Sequence, residues 1–382
     1  MVFQGTDSIF FALLRSGMYG VPIPESELPE SIDWEAIVAL AKKHVVYGII
    51  IDGLRFLPER LRPEGQIAAN MNKFALGLFK TNVILDKTAG RLADFLRSRG
   101  VDGVLLKGQG VARYYRSPQV RQCGDIDYYV GKTNYKKAAR LCVDELADDK
   151  SDCHESLQHL GFDMGGVSIE LHRLAARIFT PIKNKRFQRW IVDELERSPG
   201  RRSVAMGGKE VFLPSYDFDA IFIFYHAWCH FIMGGIGLRQ LCDWAMIFHT
   251  HAADIDAERL AANIKRFGLT KGWRLFGCIA VNHLGVAADK IPLYDPAYGP
   301  KSEKILEEIF TGGNFGYYSK ANTRTPVLGY GLRHGLGKMR NVTQYFFSLF
   351  PLIPVEATFL YFNRLYYGSI ALAKRSMHKP KH

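Results

Sequence analysis

The spacing of apolar residues changes twice along the chain, and these changes divide it into three regions. Residues 1–98 repeat apolar positions every three or four residues, as in ESIDWEAIVALAKKHVVYGIIIDGLRF, and this period predicts helices. Residues 99–215 hold short apolar or alternating segments between helical ones, and residues 216–382 return to the helical period. We therefore predict an α/β core at 99–215, flanked by an N-terminal and a C-terminal helical region.

Four short segments predict the strands of this core. VDGVLLKG is a brief apolar run ending at a glycine, and GDIDYYV alternates with period two. GVSIELHR at 166–173 also alternates, and KEVFLP at 209–214 is a further short strand. A helix is predicted over residues 135–146, and Ser31 or Asp33 is the expected cap of the helix that follows them. Strands that alternate with helices indicate a small α/β module.

The most apolar stretch, YFFSLFPLIPVEATFLY at 345–361, raises the question of a membrane span. It is interrupted by Pro351, Pro354 and Glu356, whereas a spanning helix needs about 20 apolar residues. We expect a buried or interfacial helical hairpin and no transmembrane segment. The chain's start lacks a basic segment followed by a long apolar core, and its six cysteines form no C-x-x-C pair. We therefore expect a cytoplasmic protein with reduced thiols.

Charge narrows the choice of partner. Lys and Arg number 50 against 38 Asp and Glu, a net charge of +12, which favours anionic partners. Residues 301–382 carry 12 of the basic and 4 of the acidic residues, so +8 lies there. These basic residues are scattered among glycines and aromatics, so nucleic acid is a possible partner but not the favoured one. Residues 309–382 are interpreted as a lid, an acceptor platform or a partner surface.

The strand GDIDYYV carries the first candidate chemistry. Residues i and i+2 of a strand share a face, so Asp125 and Asp127 present two carboxylates side by side. Such a pair suits Mg²⁺, completed by substrate phosphates. The chain has two other D-x-D sequences. The one at 217–219 lies at a predicted helix start, where Asp caps free amides, and the one at 254–256 lies in a polar turn.

Two neighbouring segments strengthen this interpretation. Upstream, a strand runs into KGQG at 107–110, where glycine lets the backbone approach a phosphate closely. Downstream, SIELH places Ser168, Glu170 and His172 on one strand face, so a third carboxylate could complete a two-metal site or accept a proton. These parts are typical of metal-assisted phosphoryl or nucleotidyl transfer.

Taken together, L-K-G, then R-x-x-G-D-I-D-x-x-V, then I-E-L-H resemble the bacterial uncharacterised nucleotidyltransferase family, within the DNA polymerase beta-type nucleotidyltransferase superfamily. The resemblance covers residues from about 8 to 370. It implies a small mixed sheet that carries the site. It also implies that Gly108 is the phosphate-loop glycine, that Asp125 and Asp127 are metal ligands, and that Glu170 is the third acid. The sequence departs from the pattern at Gln109, where the superfamily usually has Ser or Gly.

Basic residues near the motif are candidates for binding a triphosphate. Arg121, four residues before Asp125, is the first of them, with Lys107 and Arg113 as alternatives. Each of the three could instead be a solvated surface charge.

Other polar and aromatic residues keep two interpretations each. His172 orients Glu170 or a ligand, or it is a satisfied buried histidine. Four tyrosines pack a base or belong to the core: Tyr114, Tyr115, Tyr128 and Tyr129.

The segment after the core adds two pairs with helical i, i+4 spacing. His226 and His230 are zinc ligands or, more in keeping with the lack of a third ligand, core or pocket-lining residues. Arg239 and Asp243 form a helix ion pair, or Arg239 faces the cleft and helps to hold nucleotide.

The favoured function is a nucleotidyltransferase that moves an NMP from an NTP to an acceptor and releases pyrophosphate, with Mg²⁺ or Mn²⁺. The acceptor is a small molecule, a sugar, a protein side chain or an RNA end. In this interpretation Asp125, Asp127 and Glu170 are catalytic and hold the metal, and Lys107, Gly108, Gln109, Arg121 and Arg239 bind the nucleotide. The alternative is a catalytically weak or inactive nucleotide-binding or sensing module, for which Gln109 is the main support.

Overall fold

The computed structural model describes residues 5–178, 180–197 and 200–314, together with single residues between 343 and 362. Most of the basic stretch 301–382, including much of the expected hairpin at 345–361, therefore lies outside the described residues. Within the described part of the chain, no helix has the length and apolar character that crossing a membrane requires.

The N-terminal region is helical, as its spacing predicts. Asp33 caps the second helix, because its side chain accepts a hydrogen bond from the backbone N–H of Ala36 at 3.0 Å. The last helix is by far the longest and reaches the start of the α/β core. The helices are α1 (Thr6–Tyr19), α2 (Trp34–Lys43), α3 (Tyr47–Gly53) and α4 (Gly65–Ser98).

A five-stranded mixed sheet forms the centre of the α/β core, with strand order β1-β2-β5-β4-β3. Strands β2 and β5 are parallel, and the other neighbours are antiparallel. The small mixed sheet implied by the family resemblance is therefore confirmed. Its strands are β1 (Val104–Leu106), β2 (Asp125–Tyr129), β3 (His154–Glu155), β4 (His159–Met164) and β5 (Val167–His172).

The predicted strand at 209–214 lies in a separate hairpin, whose strands are β6 (Arg202–Met206) and β7 (Lys209–Leu213). The helix predicted over 135–146 begins earlier than expected, at Gly131. The helices of this region are α5 (Gly108–Ala112), α6 (Gly131–Glu145) and α7 (Pro181–Val192), the last followed by a π-helical turn at Asp193–Arg197.

Five helices follow the hairpin within the described residues up to 314. Ser215 caps the first of them by accepting from the backbone N–H of Phe218 at 3.2 Å, and Asp256 caps the third. The helices are α8 (Tyr216–Met233), α9 (Leu238–His251), α10 (Ala257–Phe267), α11 (Thr270–Asn282) and α12 (Gly299–Gly312). Short 3₁₀ turns lie at Glu25–Glu27, Leu54–Phe56, Glu59–Leu61, Pro118–Val120, Lys150–Asp152, Ala252–Asp254, Ala288–Lys290 and Pro296–Tyr298.

Two hydrophobic cores fix the orientation of the sheet. The smaller one packs Ile126 of β2 and Ile169 of β5 against Leu92 of α4 and Ala138 of α6. The larger one joins residues of the N-terminal helices to those of α8, α9 and α11. Because side chains alternate along a strand, Asp125 and its same-face neighbours point away from the smaller core. The opposite face carries the polar residues of β2 and β5, beside Val104 and Leu106 of β1, which belong to the larger core.

Candidate active site

The parallel pairing of β2 and β5 brings the predicted acids together. Asp127 lies directly opposite Glu170, and Asp125 lies opposite Ser168. Period-two alternation puts Asp125, Asp127, Glu170 and His172 on one sheet face, opposite the buried isoleucines. The D-x-D and the third acid, 43 residues apart in sequence, therefore share one surface of two adjacent strands.

Asp127 is the most enclosed of the three acids, with 2% of its surface exposed. Its Oδ2 lies 3.0 Å from Nζ of Lys107, and its Oδ1 accepts a hydrogen bond from Nε2 of His172 at 2.8 Å. Burial acts to raise the pKa of Asp127, but Lys107 and His172 outweigh it and hold this pKa well below its usual range. Asp127 is therefore ionised and fully engaged.

Asp125 sits at the mouth of the site and is exposed to solvent. The protein around its carboxylate removes part of its hydration, and the like charges of Asp127 and Glu170 add to this effect, so the pKa of Asp125 is raised. A cation placed among these three carboxylates would relieve the repulsion. The solvent side of the D-x-D pair therefore has excess negative charge that a bound cation would neutralise.

His172 links the second and third acids. Its Nε2 lies 3.2 Å from Oε2 of Glu170 as well as 2.8 Å from Asp127, and the hydrogen bond from His172 lowers the pKa of Glu170. Burial acts to lower the pKa of His172, but its two carboxylate partners outweigh it, and the net shift is upward. The sequence left His172 open between an orienting and a core role, and its contacts favour the orienting one.

His159 is a site residue that the sequence analysis missed. It lies opposite His172 in the antiparallel pairing of β4 and β5, with its Nδ1 3.6 Å from Oε2 of Glu170. Within the described residues, His159, Glu170 and His172 form the one group of three potential metal ligands, with their ligand atoms within 4.8 Å of one another. A signal existed: Gly165 and Gly166, both with positive φ, form a two-residue hairpin turn that pairs 159 with 172.

The loop between β1 and α5 brings Lys107 to the acids. Lys107 and Gly108 both have positive φ, +48° and +42°. A Cβ on Gly108 would lie 3.2 Å from Sγ of Cys123, so the turn is tightly packed as well as left-handed. This unusual backbone directs the lysine ammonium back onto Asp127 of the neighbouring strand.

Gln109 is turned toward helix α4. Its buried amide nitrogen donates to Oδ1 of Asp86 at 2.8 Å and to the carbonyl oxygen of Asn82 at 3.2 Å. Arg113, another candidate for phosphate, binds the second oxygen of Asp86 at 2.7 Å. To reach a phosphate, either side chain would have to give up these partners.

Arg121 forms a buried ion pair with Asp243. Its Nε and Nη2 donate to the two carboxylate oxygens at 2.8 Å each, and the hydroxyl of Tyr115 also donates to Asp243 at 2.9 Å. Burial acts against the charge of Arg121, yet Asp243 raises the pKa of the guanidinium. Among the described contacts, Asp243 is thus engaged by Arg121, and the i, i+4 spacing with Arg239 does not produce the ion pair that it suggested.

Arg239 instead contacts the loop that precedes β2. Its Nη1 donates to the carbonyl oxygen of Gln122 at 2.7 Å. Burial and the charge of Arg121 lower the pKa of Arg239, and Asp125 is one of the charges that act in the opposite direction. The cleft-facing interpretation of Arg239 is therefore the one its surroundings favour.

Helix α8 covers the lysine with two histidines. Nε2 of His226 lies 3.0 Å from Nζ of Lys107 and 3.1 Å from Nε2 of His230. Burial and Lys107 hold the pKa of His226 well below its usual value, so this ring is neutral and accepts from the lysine. In the part of the chain described, no acid or cysteine joins this pair as a third metal ligand.

The four tyrosines near the motif are buried, each 1–3% exposed. Three of them donate to acids: Tyr114 to Asp219, Tyr115 to Asp243 and Tyr129 to Glu196. Their core interpretation is the one that this burial favours.

Comparisons with known proteins bear on this geometry. The family model described as uncharacterised nucleotidyltransferase matches residues 30–285, which include every residue of the candidate site. No curated protein matches the chain. A solved structure, an antigenic nucleotidyltransferase-like protein from Paracoccidioides brasiliensis, is similar at 11% identity, with a TM-score of 0.32, over 58% of this chain and 95% of that chain.

Proposed function

Since the chain belongs to the uncharacterised nucleotidyltransferase family, we propose that it transfers an NMP from an NTP to an acceptor and releases pyrophosphate. The observation that carries this proposal is the register of β2 and β5, with Asp127 opposite Glu170 and Asp125 on the same face. Three carboxylates on two adjacent strands provide the ligands and the proton acceptor that a metal-assisted nucleotidyl transfer can use.

The donor set fits a hard divalent cation. Asp125, Asp127 and Glu170 offer carboxylate oxygens, the ligands that Mg²⁺ and Mn²⁺ prefer. The raised pKa of Asp125, caused by partial desolvation and by neighbouring carboxylates, marks a place where positive charge is missing. When bound, the cation supplies Lewis-acid neutralisation of the charge on the phosphates.

Residues of the chain itself position the nucleotide. Lys107 sits within 3.0 Å of Asp127 and is the cation best placed to meet a phosphate oxygen at the same face. Arg239, which contacts the carbonyl oxygen of Gln122 and interacts electrostatically with Asp125, is a second candidate for binding the triphosphate. Gly108 lets the loop backbone approach the phosphates without a side chain in the way. Arg121 supports the site indirectly, by tying the loop before β2 to α9.

The transfer step follows from this arrangement. The acceptor hydroxyl attacks the α-phosphorus, the bond from that phosphorus to the bridging oxygen breaks, and pyrophosphate leaves with the electron pair. The hydroxyl proton passes to Glu170, the more open of the two acids that His172 contacts. Aligning the nucleophile and neutralising charge supply most of the catalysis in such reactions.

The test is transfer of label from α-labelled ATP, GTP, CTP and UTP with Mg²⁺ or Mn²⁺, with a cell extract as the source of acceptors. Wild type is compared with Asp125→Asn and Asp127→Asn. Asp254→Asn is the matched control, since Asp254 belongs to another D-x-D and contacts His251 at the surface. We expect transfer by wild type and by the control and a loss of at least about 100-fold in the two site variants. Transfer that survives in both site variants would overturn the proposal.

The second candidate function is nucleotide binding without turnover. The observation that favours it is Gln109, whose amide is held by Asp86 and by the carbonyl of Asn82 rather than left for a phosphate. Binding of labelled NTP that depends on Mg²⁺ and on Asp127, with no label transferred and no pyrophosphate released, would identify this function.

A further inference from the structure

The sheet face that carries the acids changes its chemistry from one side to the other. On the β2 side the donors are the oxygens of Asp125 and Asp127. On the β4 side they include two imidazoles, those of His159 and His172, on either side of the Glu170 carboxylate. Oxygen donors suit Mg²⁺, whereas imidazole suits zinc and other late first-row divalent ions.

Two of the spacings between these donors are close to those of a tetrahedral metal shell. Bonds of about 2.0–2.1 Å to nitrogen and oxygen place neighbouring donors of a tetrahedral zinc ion about 3.3 Å apart. Glu170 Oε2 lies 3.2 Å from Nε2 of His172 and 3.6 Å from Nδ1 of His159. Nε2 of His172 also donates to Asp127, so an ion that binds this nitrogen takes the place of the donated proton. All three ligand atoms lie within 4.8 Å of one another, so little movement is needed to close them around an ion.

The backbone holds the three ligands rigidly. His159 and His172 are directly opposite each other on paired strands, and Glu170 is two residues from His172 on the same face. His172 is buried, while His159 and Glu170 are partly exposed, with side-chain exposures of 22% and 33%. One side of the group is thus open to solvent, as a site needs to be for an ion to enter and for a fourth ligand to bind.

We propose that His159, Glu170 and His172 form a site for a late first-row divalent cation of the zinc type, distinct in chemistry from the D-x-D site that Mg²⁺ would occupy. The proposal rests on the proposed function only for the role of this ion beside the transferred phosphate. Whether the ion binds does not depend on turnover. The two sites share Glu170. The group around Glu170 therefore prefers a zinc-type ion, whereas the D-x-D pair prefers Mg²⁺.

The neighbouring residue His154 provides a matched control. Its ring lies 6.3 Å from that of His159, centroid to centroid, on the adjacent strand β3. It is exposed and is not part of the three-ligand group. Substituting His154 therefore removes an imidazole from the same surface without removing a ligand.

The experiment measures Zn²⁺ binding to the full chain by titration calorimetry without nucleotide, in a large excess of Mg²⁺. Wild type is compared with His159→Ala, His159→Gln, His154→Ala and Asp125→Asn. We expect wild type, H154A and D125N to bind Zn²⁺ with the same affinity, and both His159 variants to bind it at least about 10-fold more weakly. Thermal unfolding without added metal checks that the His159 variants are folded, and Zn²⁺ should raise the melting temperature of wild type but not theirs.

Failure of wild type to bind Zn²⁺ would overturn the proposal, and so would either of two results with the variants. In the first, the folded His159 variants bind Zn²⁺ as wild type does. In the second, D125N loses the ion, which would assign it to the D-x-D pair. Failure of the proposed function can be distinguished from failure of this proposal, since a protein that transfers no NMP would still show Zn²⁺ binding that depends on His159. Conversely, a protein without this binding could still transfer NMP with Mg²⁺ through the three acids.

Discussion

The ammonium of Lys107 lies 3.0 Å from Oδ2 of Asp127, on the acid that pairs with Glu170 across the strands. The lysine is therefore an internal counter-ion at the place where the family resemblance puts a metal ligand. A divalent ion that binds Asp127 has to share this carboxylate with Lys107 or displace the lysine toward the substrate. Lys107 thus connects ion binding to phosphate binding.

Removing the lysine should separate these two roles. A hydrogen bond between charged groups contributes about 1.5–3 kcal/mol. In Lys107→Met the competing cation is gone, so we expect Asp127 to bind Mn²⁺ about 10-fold more tightly. NTP affinity and transfer should fall at the same time, because a phosphate partner is lost. Titration calorimetry with Mn²⁺ and with NTP measures both quantities.

The gain in Mn²⁺ affinity should disappear in the double variant Lys107→Met/Asp127→Asn, since it depends on the freed carboxylate. Weaker Mn²⁺ binding in the single variant would contradict the counter-ion role of Lys107 and assign the lysine to the support of the metal ligand.

The ion pair of Arg121 and Asp243 should be one of the larger single contributions to stability near the site. Both side chains are about 6% exposed, so losing one partner leaves the other charge buried and unpaired. We expect Asp243→Asn to lower the free energy of unfolding by about 3–5 kcal/mol in urea denaturation. The matched control is Arg140→Ala, which breaks an exposed i, i+4 pair with Asp144 and should change stability by about 0.5 kcal/mol or less.

Restoring electrical balance should recover much of this loss. A double variant, Arg121→Met/Asp243→Leu, removes both charges and should be clearly more stable than Asp243→Asn alone. The single variants Arg121→Met and Asp243→Leu are measured as well. A double variant whose loss of stability equals the sum of these two losses would show that the residues act independently, which would contradict the bidentate contact.

Asp219 gives the protein a pH-dependent stability below neutrality. It is 2% exposed, beside Arg202 and Tyr114, and burial raises its pKa from 3.8 to about 6 despite those partners. The folded state therefore binds this proton more tightly than the unfolded state. This contribution to stability is complete below pH 3.8 and is lost as the pH rises through about 6.

Asp219→Asn removes this titration. The stability of the variant relative to wild type should therefore rise by about 2–3 kcal/mol between pH 4 and pH 7. Below this range the two plots of stability against pH should run parallel, separated by a constant offset. Chemical denaturation of both proteins at a series of pH values measures the difference. Parallel curves across this range would contradict the raised pKa of Asp219.

Local patterns predicted most of the fold, whereas the partners of long side chains could not be predicted from them. The period-two alternation of GDIDYYV and GVSIELHR placed Asp125, Asp127 and Glu170 on their strand faces, because alternation is a property of the backbone itself. Spacing at three and four located the helices for the same reason, although α6 begins four residues before the predicted start.

The contacts of Gln109 and Arg121 depend instead on how α4 and α9 pack against the sheet. Asp86 precedes Gln109 by 23 residues, and Asp243 follows Arg121 by 122, so no local period relates them. His159 is an intermediate case. Its pairing with His172 follows from the Gly165-Gly166 turn, but only once β4 is recognised as a strand. Tertiary packing thus selects partners that sequence spacing leaves open.

The close approach of α1 and α3 should be intolerant of any added side chain at Gly17. A Cβ there would lie 1.9 Å from the carbonyl oxygen of Ile49, a backbone atom that cannot move without shifting the whole helix. We expect Gly17→Ala to destabilise the protein by about 2–4 kcal/mol through this overpacking.

Gly77→Ala is the matched control. Gly77 lies in the middle of α4, is exposed to solvent and has nothing within 4 Å of an added Cβ. There alanine should stabilise by about 0.5–1 kcal/mol, through the higher helix propensity of alanine. Equal effects of the two substitutions in thermal and urea unfolding would contradict the close contact between α1 and α3.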